Sequence, residues 1–119
     1  MNLIAIVTIT RDNQDEVINV FDELKNQTYE NWILIVVDDY SKNIDRLKKI
    51  NDPRFKLVSY TGKYEFAYGI KFNFAYKIAI QFNPEFIYKI HTDMSFPDKN
   101  LITSLAEELN QNKEIGLVG

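Results

Sequence analysis

Apolar residues in this chain form short continuous runs separated by longer amphipathic stretches. The continuous runs are rich in β-branched side chains, a pattern typical of strands that are covered on both faces. They are Leu3 to Ile9, Trp32 to Val37, Phe55 to Tyr60, Glu85 to Ile90 and Ile115 to Val118, the last as the beginning of a fifth strand. The sequence therefore predicts a sheet whose central strands are buried.

Helical patterns lie between these runs. Apolar residues from Val17 to Leu24 share one stripe of a helix that we expect over about Gln14 to Asn26. Further helices are predicted from Ile44 to Ile50, from an apolar residue at every fourth position between Phe66 and Phe82, and from Leu101 to Leu109. This alternation predicts an α/β fold, a three-layer α/β/α sandwich with a mostly parallel sheet, in a single domain over residues 1–119.

Composition and charge narrow the class of protein. The chain has 119 residues, 45% of them hydrophobic, which suffices for a hydrophobic core. It has no Cys, which excludes disulfides and a Cys-ligated zinc. The net charge of −3 does not favour broad binding to nucleic acid. No apolar run approaches the roughly 20 residues of a membrane span, and the first residues do not resemble a signal peptide. We expect a cytoplasmic protein, with at most peripheral contact with the membrane.

The residues after the predicted strands carry the candidate chemistry. In open α/β sheets ligands bind beyond the carboxyl ends of the strands. The clusters there are Thr10-Arg11-Asp12, Asp38-Asp39-Tyr40-Ser41, Thr61-Gly62-Lys63 and His91-Thr92-Asp93. Because three of the four contain an acid, we expect a cation at this edge, or a ligand that offers hydroxyl and amide groups.

The acidic clusters have both structural and functional interpretations. Asp38 and Asp39 could cap the following helix, or one of them could face a ligand, since neighbours on an extended chain point in opposite directions. His91 and Asp93 are two residues apart, so both could ligate Mn²⁺ or Mg²⁺ from one side of the chain, or both could be solvated.

Basic residues near the same edge are candidates for neutralising a phosphate. They are Arg11, Lys63 and Lys71. The chain has no Gly-rich phosphate loop and no arrangement typical of a Ser or Cys nucleophile, which argues against dinucleotide dehydrogenases, P-loop NTPases and triad hydrolases.

Three segments of the first half resemble the opening of family 2 glycosyltransferases. They are Leu3 to Asp12, Gln27 to Trp32 and Ile35 to Ser41. The family typically shows a strand ending near Pro-Thr-Tyr-Asn, then Gln-Thr-Tyr, then Val-Val-Asp-Asp-Gly-Ser. This chain has Ile9-Thr10-Arg11-Asp12 at the first motif, and Tyr40 where Gly is usual in the last.

Two later segments extend the resemblance. Lys71-Phe72-Asn73 resembles the family's Ala-Arg-Asn, with Phe72 in place of Arg and Lys71 as a substitute source of charge. Tyr88 to Pro97 resembles the segment that holds the family's Asp-x-Asp, with His91 at the first Asp and Asp93 at the second. In the family the second carboxylate is generally the more direct metal ligand.

The resemblance implies a Rossmann-like domain of the GT-A type and a glycosyltransferase activity. The donor would be a nucleoside diphosphate sugar, a UDP-sugar first of all, bound with Mn²⁺ or Mg²⁺, and the acceptor a saccharide or another hydroxyl compound. The implied substrate-binding residues are Thr10, Arg11, Asp38, Asp39, Lys71 and Asn73, and the implied metal ligands are Asp93 and His91. Family catalytic domains are longer, so the resemblance suggests a truncated domain without the acceptor half and its general base.

Two other interpretations stay open at the level of the sequence. One is a degenerate relative that binds a nucleotide sugar or a partner without catalysis, as the departures at His91 and Phe72 suggest. The other is a small domain of receiver or flavodoxin type, in which Asp38 or Asp39 would bind Mg²⁺ or be phosphorylated.

Overall fold

In the part of the chain that the structure describes, the fold is a five-stranded parallel sheet flanked by four helices. A computed structural model describes residues 2–62, 68–111 and 117–118. The strands are β1 (Ile4–Thr10), β2 (Trp32–Asp38), β3 (Phe55–Ser59), β4 (Phe86–Lys89) and β5 (Leu117–Val118), in the order β3-β2-β1-β4-β5. The helices are α1 (Gln14–Lys25), α2 (Asp45–Lys48), α3 (Tyr68–Ile80) and α4 (Leu101–Gln111). The predicted alternation of strands and helices is confirmed.

Helices cover both faces of the sheet, as predicted. Side chains alternate along each strand, so Ile4 and Ile6 of β1 join one core cluster while Ala5 and Val7 join another. The first cluster includes buried residues of α1, α2 and α4, and the second includes those of α3. The result is the three-layer α/β/α sandwich.

The amino end of β2 is anchored by an aromatic contact. Trp32 is 1% exposed, and its ring meets that of Phe21 edge to face at a centroid distance of 5.9 Å. The guanidinium of Arg54 lies over the same ring, 4.4 Å from its centroid. The indole Nε1 is buried and has no hydrogen-bond partner among the described residues. The whole of β2 is buried, as its continuous apolar pattern predicts.

Helix α3 is present, but its buried face is not the stripe of every fourth residue. Ile70, on that stripe, is 48% exposed. Because a helix has 3.6 residues per turn, positions four apart drift round it by about 40° at each step. The residues of α3 that are buried are Lys71, Phe72, Ala75 and Ala79. Phe66, with which the predicted stripe began, lies outside the described residues.

The strand order reverses at β1. The chain steps from β1 to β2 and β3 on one side, and α3 then carries it back to β4 on the other side. In sheets of this kind the ligand crevice opens at the carboxyl edge where the order reverses. The loops after β1, β2 and β4 meet there.

Candidate functional site

A pocket of about 600 Å³ opens at the carboxyl edge of β1, β2 and β4. The described residues that line it are Ile9, Thr10, Arg11, Asn13, Glu16, Asp39, Lys71, His91, Thr92 and Asp93. The structure thus brings together six of the eight predicted site residues, from segments as far apart in the sequence as Thr10 and Asp93.

An ionic cluster around Asp39 forms one wall of the pocket. Asp39 is 3% exposed, and its Oδ2 accepts hydrogen bonds from Arg11 Nη2 at 2.8 Å and from Lys71 Nζ at 2.5 Å. Arg11 Nε also donates to the Asp39 carbonyl oxygen at 2.9 Å. The Asp39 carboxylate is thus bonded to two cations, of which Lys71 is buried and Arg11 is partly exposed.

The loops after β1 and β2 are tied to each other, and this fixes Asp39. Its N–H donates to the Thr10 carbonyl oxygen at 2.8 Å, one step beyond the last paired residues of the two strands. The Asp12 N–H donates to Ser41 Oγ at 2.8 Å, and the Lys42 N–H donates to Asp12 Oδ1, also at 2.8 Å. Asp12 has a φ of 55°, a left-handed conformation that Asp tolerates better than most residues.

Tyr40 stands at the position where the family that the sequence resembles usually has Gly. It adopts a backbone conformation that Gly usually adopts. Its φ is 57°, in the left-handed region that ordinarily favours Gly. The Tyr40 hydroxyl donates to the Gly62 carbonyl oxygen at 2.6 Å, and its ring packs edge to face on Tyr60 at 6.3 Å. These contacts help to offset the cost of a bulky residue in that conformation.

Asp38 and Asn73 are the two predicted site residues that do not line the pocket. Asp38 is buried, and its Oδ2 accepts from the Ser41 N–H at 3.4 Å. Only Asp39 of the acidic pair therefore faces the pocket, as alternation along an extended chain requires. Asn73 is exposed on α3. Lys63, the third basic candidate, lies outside the described residues.

His91 and Asp93 stand on a turn that follows β4, and both are exposed. The Met94 N–H donates to the His91 carbonyl oxygen at 3.1 Å and closes the turn. The His91 ring lies edge to face with that of Phe72 at a centroid distance of 6.2 Å. Within residues 2–62, 68–111 and 117–118, no three His, Cys, Asp or Glu side chains are grouped so as to hold a metal ion. This pair can supply two ligands.

The structure adds a residue that the sequence analysis missed. Glu16, in the first turn of α1, lines the pocket, and its Oε2 accepts a hydrogen bond from Thr92 Oγ1 at 2.8 Å. The order of elements could have predicted it, because a helix that directly follows β1 begins at the same edge of the sheet as the other site residues.

Comparison with known proteins identifies the protein family of the chain. Residues 5–119 match the family described as Glycosyl transferase family 2, so the chain belongs to this family. No curated protein sequence matches significantly. In the described part of the chain, no helix is long and apolar enough to cross a membrane.

Two solved structures have the same fold. A mannosyltransferase from Pyrobaculum calidifontis, in complex with GDP-Man and Mn²⁺, aligns over 89% of this chain with a TM-score of 0.71 and 18% identity. TarS of S. aureus, residues 1–349, aligns over 95% with a TM-score of 0.74 and 19% identity. The aligned region is 32% of the first chain and 33% of the second, so this chain spans about a third of their length. The predicted GT-A type of fold is confirmed.

Proposed function

We propose that this chain is the donor-binding part of a glycosyltransferase. It binds a nucleoside diphosphate sugar, with a UDP-sugar as the first candidate, and a divalent ion. The sugar then passes to a hydroxyl of an acceptor saccharide or a related compound. The observation that carries the proposal is the single pocket in which the ionic cluster of Arg11, Asp39 and Lys71 faces the turn that holds Asp93.

The ionic cluster suits the nucleotide end of such a donor. Its two cations, Arg11 and Lys71, line the pocket and can attract the negative charge of a diphosphate. The Asp39 Oδ1 atom is buried and has no hydrogen-bond partner among the described residues, so it is available to accept from a base N–H or a ribose hydroxyl. The buried Thr10 Oγ1, likewise without a described partner, belongs to the same pocket. Lys71 takes the role of the family's Arg, because its ammonium reaches Asp39 while Phe72 packs as an apolar residue.

The side chains of the turn suit a metal ion that is carried with the donor. Mg²⁺ in phosphate sites is commonly held by one or two carboxylates together with phosphate oxygens and water, so one carboxylate and one imidazole form an adequate protein share. Asp93 is the main ligand and His91 the second, and the imidazole shifts preference toward Mn²⁺. When bound, the ion offsets the negative charge that grows on the departing diphosphate.

A non-catalytic nucleotide-sugar-binding module is the second candidate. The contact between Phe72 and His91 favours it, because both residues replace charged residues of the family motifs and face each other across an apolar contact. This candidate retains donor binding and lacks sugar transfer. The receiver or flavodoxin alternative is set aside by the family assignment.

Calorimetric titration of UDP, with GDP as comparator, tests the proposal. The nucleotides are titrated into the wild-type chain and Asp93→Ala, each with Mn²⁺ and with EDTA. We expect Mn²⁺ to strengthen binding relative to EDTA, and the affinity in Mn²⁺ to be at least about 10-fold lower in Asp93→Ala, because a direct ligand is lost. Asp22→Ala, which removes an exposed carboxylate of α1 outside the pocket lining, is the matched control.

The outcomes separate the parts of the proposal. Equal affinity with Mn²⁺ and EDTA in the folded wild type would exclude a metal ion from donor binding. Unchanged affinity in Asp93→Ala would exclude Asp93 as a ligand of that ion. Stronger binding of GDP than of UDP would reassign the base. Tight binding without sugar transfer, measured in a longer protein that contains this domain and an acceptor-binding part, would favour the non-catalytic module.

A further inference from the structure

The segment from His91 to Asn100 carries both candidate metal ligands but contains no helix or strand. Side chains on α1 and just after it hold this segment, although they are more than 65 residues away in the sequence. Phe96, which is 4% exposed, anchors the segment in the core. Polar side-chain contacts come from Glu16, Glu23 and Gln27, which we name the α1 polar stripe. Thr28 adds bonds to Lys99 and Asn100 at the end of the segment.

Spacing along the helix explains why these three residues act together. They follow one another at intervals of seven and four, which brings them to one side of a helix. Gln27 comes two residues after the end of α1, and its N–H donates to the Leu24 carbonyl oxygen at 3.0 Å, which continues the helical turn. The stripe runs from the pocket, where Glu16 meets Thr92, to the start of α4.

Glu23 makes two contacts at the middle of the segment. Its Oε2 accepts from the Phe96 N–H at 2.7 Å, and its Oε1 accepts from the Ser95 hydroxyl at 3.2 Å. Both oxygens of the carboxylate are therefore used on two consecutive residues, which fixes the direction of the backbone there. Ser95 is two residues from Asp93, so this direction decides where the Asp93 carboxylate stands relative to the pocket.

We propose that Glu23 is a positioning residue for Asp93. It is not among the pocket-lining residues, so it acts through the segment and not by contact with a ligand. Phe96 keeps the segment docked in the core without it, and the loss of Glu23 displaces the turn without unfolding the domain. The inference rests on the proposed function, in which Asp93 holds the metal ion together with the donor diphosphate.

Affinities measured with Mn²⁺ and with EDTA test this role. We expect Glu23→Ala to lower the UDP affinity on the order of 10-fold in Mn²⁺, the size typical of residues that orient metal ligands, and to leave binding in EDTA unchanged. Glu23→Gln keeps one acceptor oxygen and recovers part of the loss. Asp22→Ala removes the neighbouring charge of α1 without touching the segment and retains wild-type affinity. Hydrogen exchange of the Phe96 amide should accelerate in Glu23→Ala and not in Asp22→Ala.

The possible failures are distinguishable. If the wild type shows no Mn²⁺-dependent binding, the proposed function fails and the inference is overturned with it. If the wild type shows it but Glu23→Ala matches Asp22→Ala, the inference alone is overturned. An equal loss in Mn²⁺ and in EDTA would indicate a merely structural role and would also overturn it. Should Glu23→Ala fail to fold, the isosteric Glu23→Gln carries the same comparison.

Discussion

The ends of β2 and β4 present carboxylates to the same pocket in contrasting ways. Asp39, beyond β2, is almost completely buried and bonded to two cations. Asp93, beyond β4, is exposed on a turn whose position depends on neighbouring backbone contacts. The Asp39 carboxylate contributes to the packing of the folded domain, whereas the Asp93 carboxylate makes no comparable buried contact among the described residues. We therefore expect substitution of Asp39 to change both the stability of the domain and ligand binding, and substitution of Asp93 to change ligand binding alone.

Loss of the buried carboxylate gives the largest expected effect. Asp39→Ala leaves Lys71 buried without its ion pair, and breaking a buried pair on one side typically costs about 3–5 kcal/mol. Because Arg11 is 29% exposed at its side chain and can turn toward water, we expect the lower end, about 3 kcal/mol. Urea denaturation of the two proteins measures the change in the free energy of unfolding.

A double variant is the control for that interpretation. Asp39→Ala combined with Lys71→Met removes the buried cation together with its carboxylate, so it should be more stable than Asp39→Ala alone. A double variant whose loss equals the sum of the two single losses would show that the cluster is not coupled.

A smaller effect is expected at the contact between α1 and the start of α4. Gln27 is 5% exposed, its Nε2 donates to the Asp98 carbonyl oxygen at 2.7 Å, and its Oε1 accepts from the Ile102 N–H at 3.1 Å. Gln27→Leu leaves both partners without this bond, which we expect to cost about 1–3 kcal/mol in urea denaturation.

The neighbouring Asn26 supplies the comparison for Gln27. It is exposed at the end of α1, and Asn26→Ala should change stability by less than about 0.5 kcal/mol. Similar losses of unfolding free energy in Gln27→Leu and Asn26→Ala would mean that Gln27 contributes no more to stability than a surface residue. The α1 polar stripe would then not be held at its Gln27 end.

The smallest effect on stability is expected at the exposed carboxylate. Asp93→Ala should change the free energy of unfolding by less than about 0.5 kcal/mol, because an exposed charge on a turn contributes little to folding. Thermal and urea unfolding in the absence of nucleotide and metal measure it. A loss comparable to that of Asp39→Ala would abolish the contrast between the two ends of the pocket.

The sequence predicted the parts of this molecule that depend on local pattern. The buried strands follow from continuous apolar runs, and the shared edge of Thr10, Asp39 and Asp93 follows from the rule for parallel sheets. Glu23 was missed because its partners Ser95 and Phe96 are over 70 residues away, and no local period encodes such a contact. The buried face of α3 was obscured because that helix is apolar nearly all round, so the sheet contact decides which side is covered.

The packing of Trp32 has a consequence for how this protein can be observed. It is the only tryptophan of the chain, and it occupies the first position of β2, seven residues before Asp39. At about 3.3 Å per residue of a parallel strand, Trp32 lies about 20 Å along the strand from Asp39, and its ring packs on Phe21 and not against the ionic cluster. Its emission therefore reports whether the sheet is folded and is insensitive to occupancy of the pocket, so one optical signal can follow unfolding without interference from ligand.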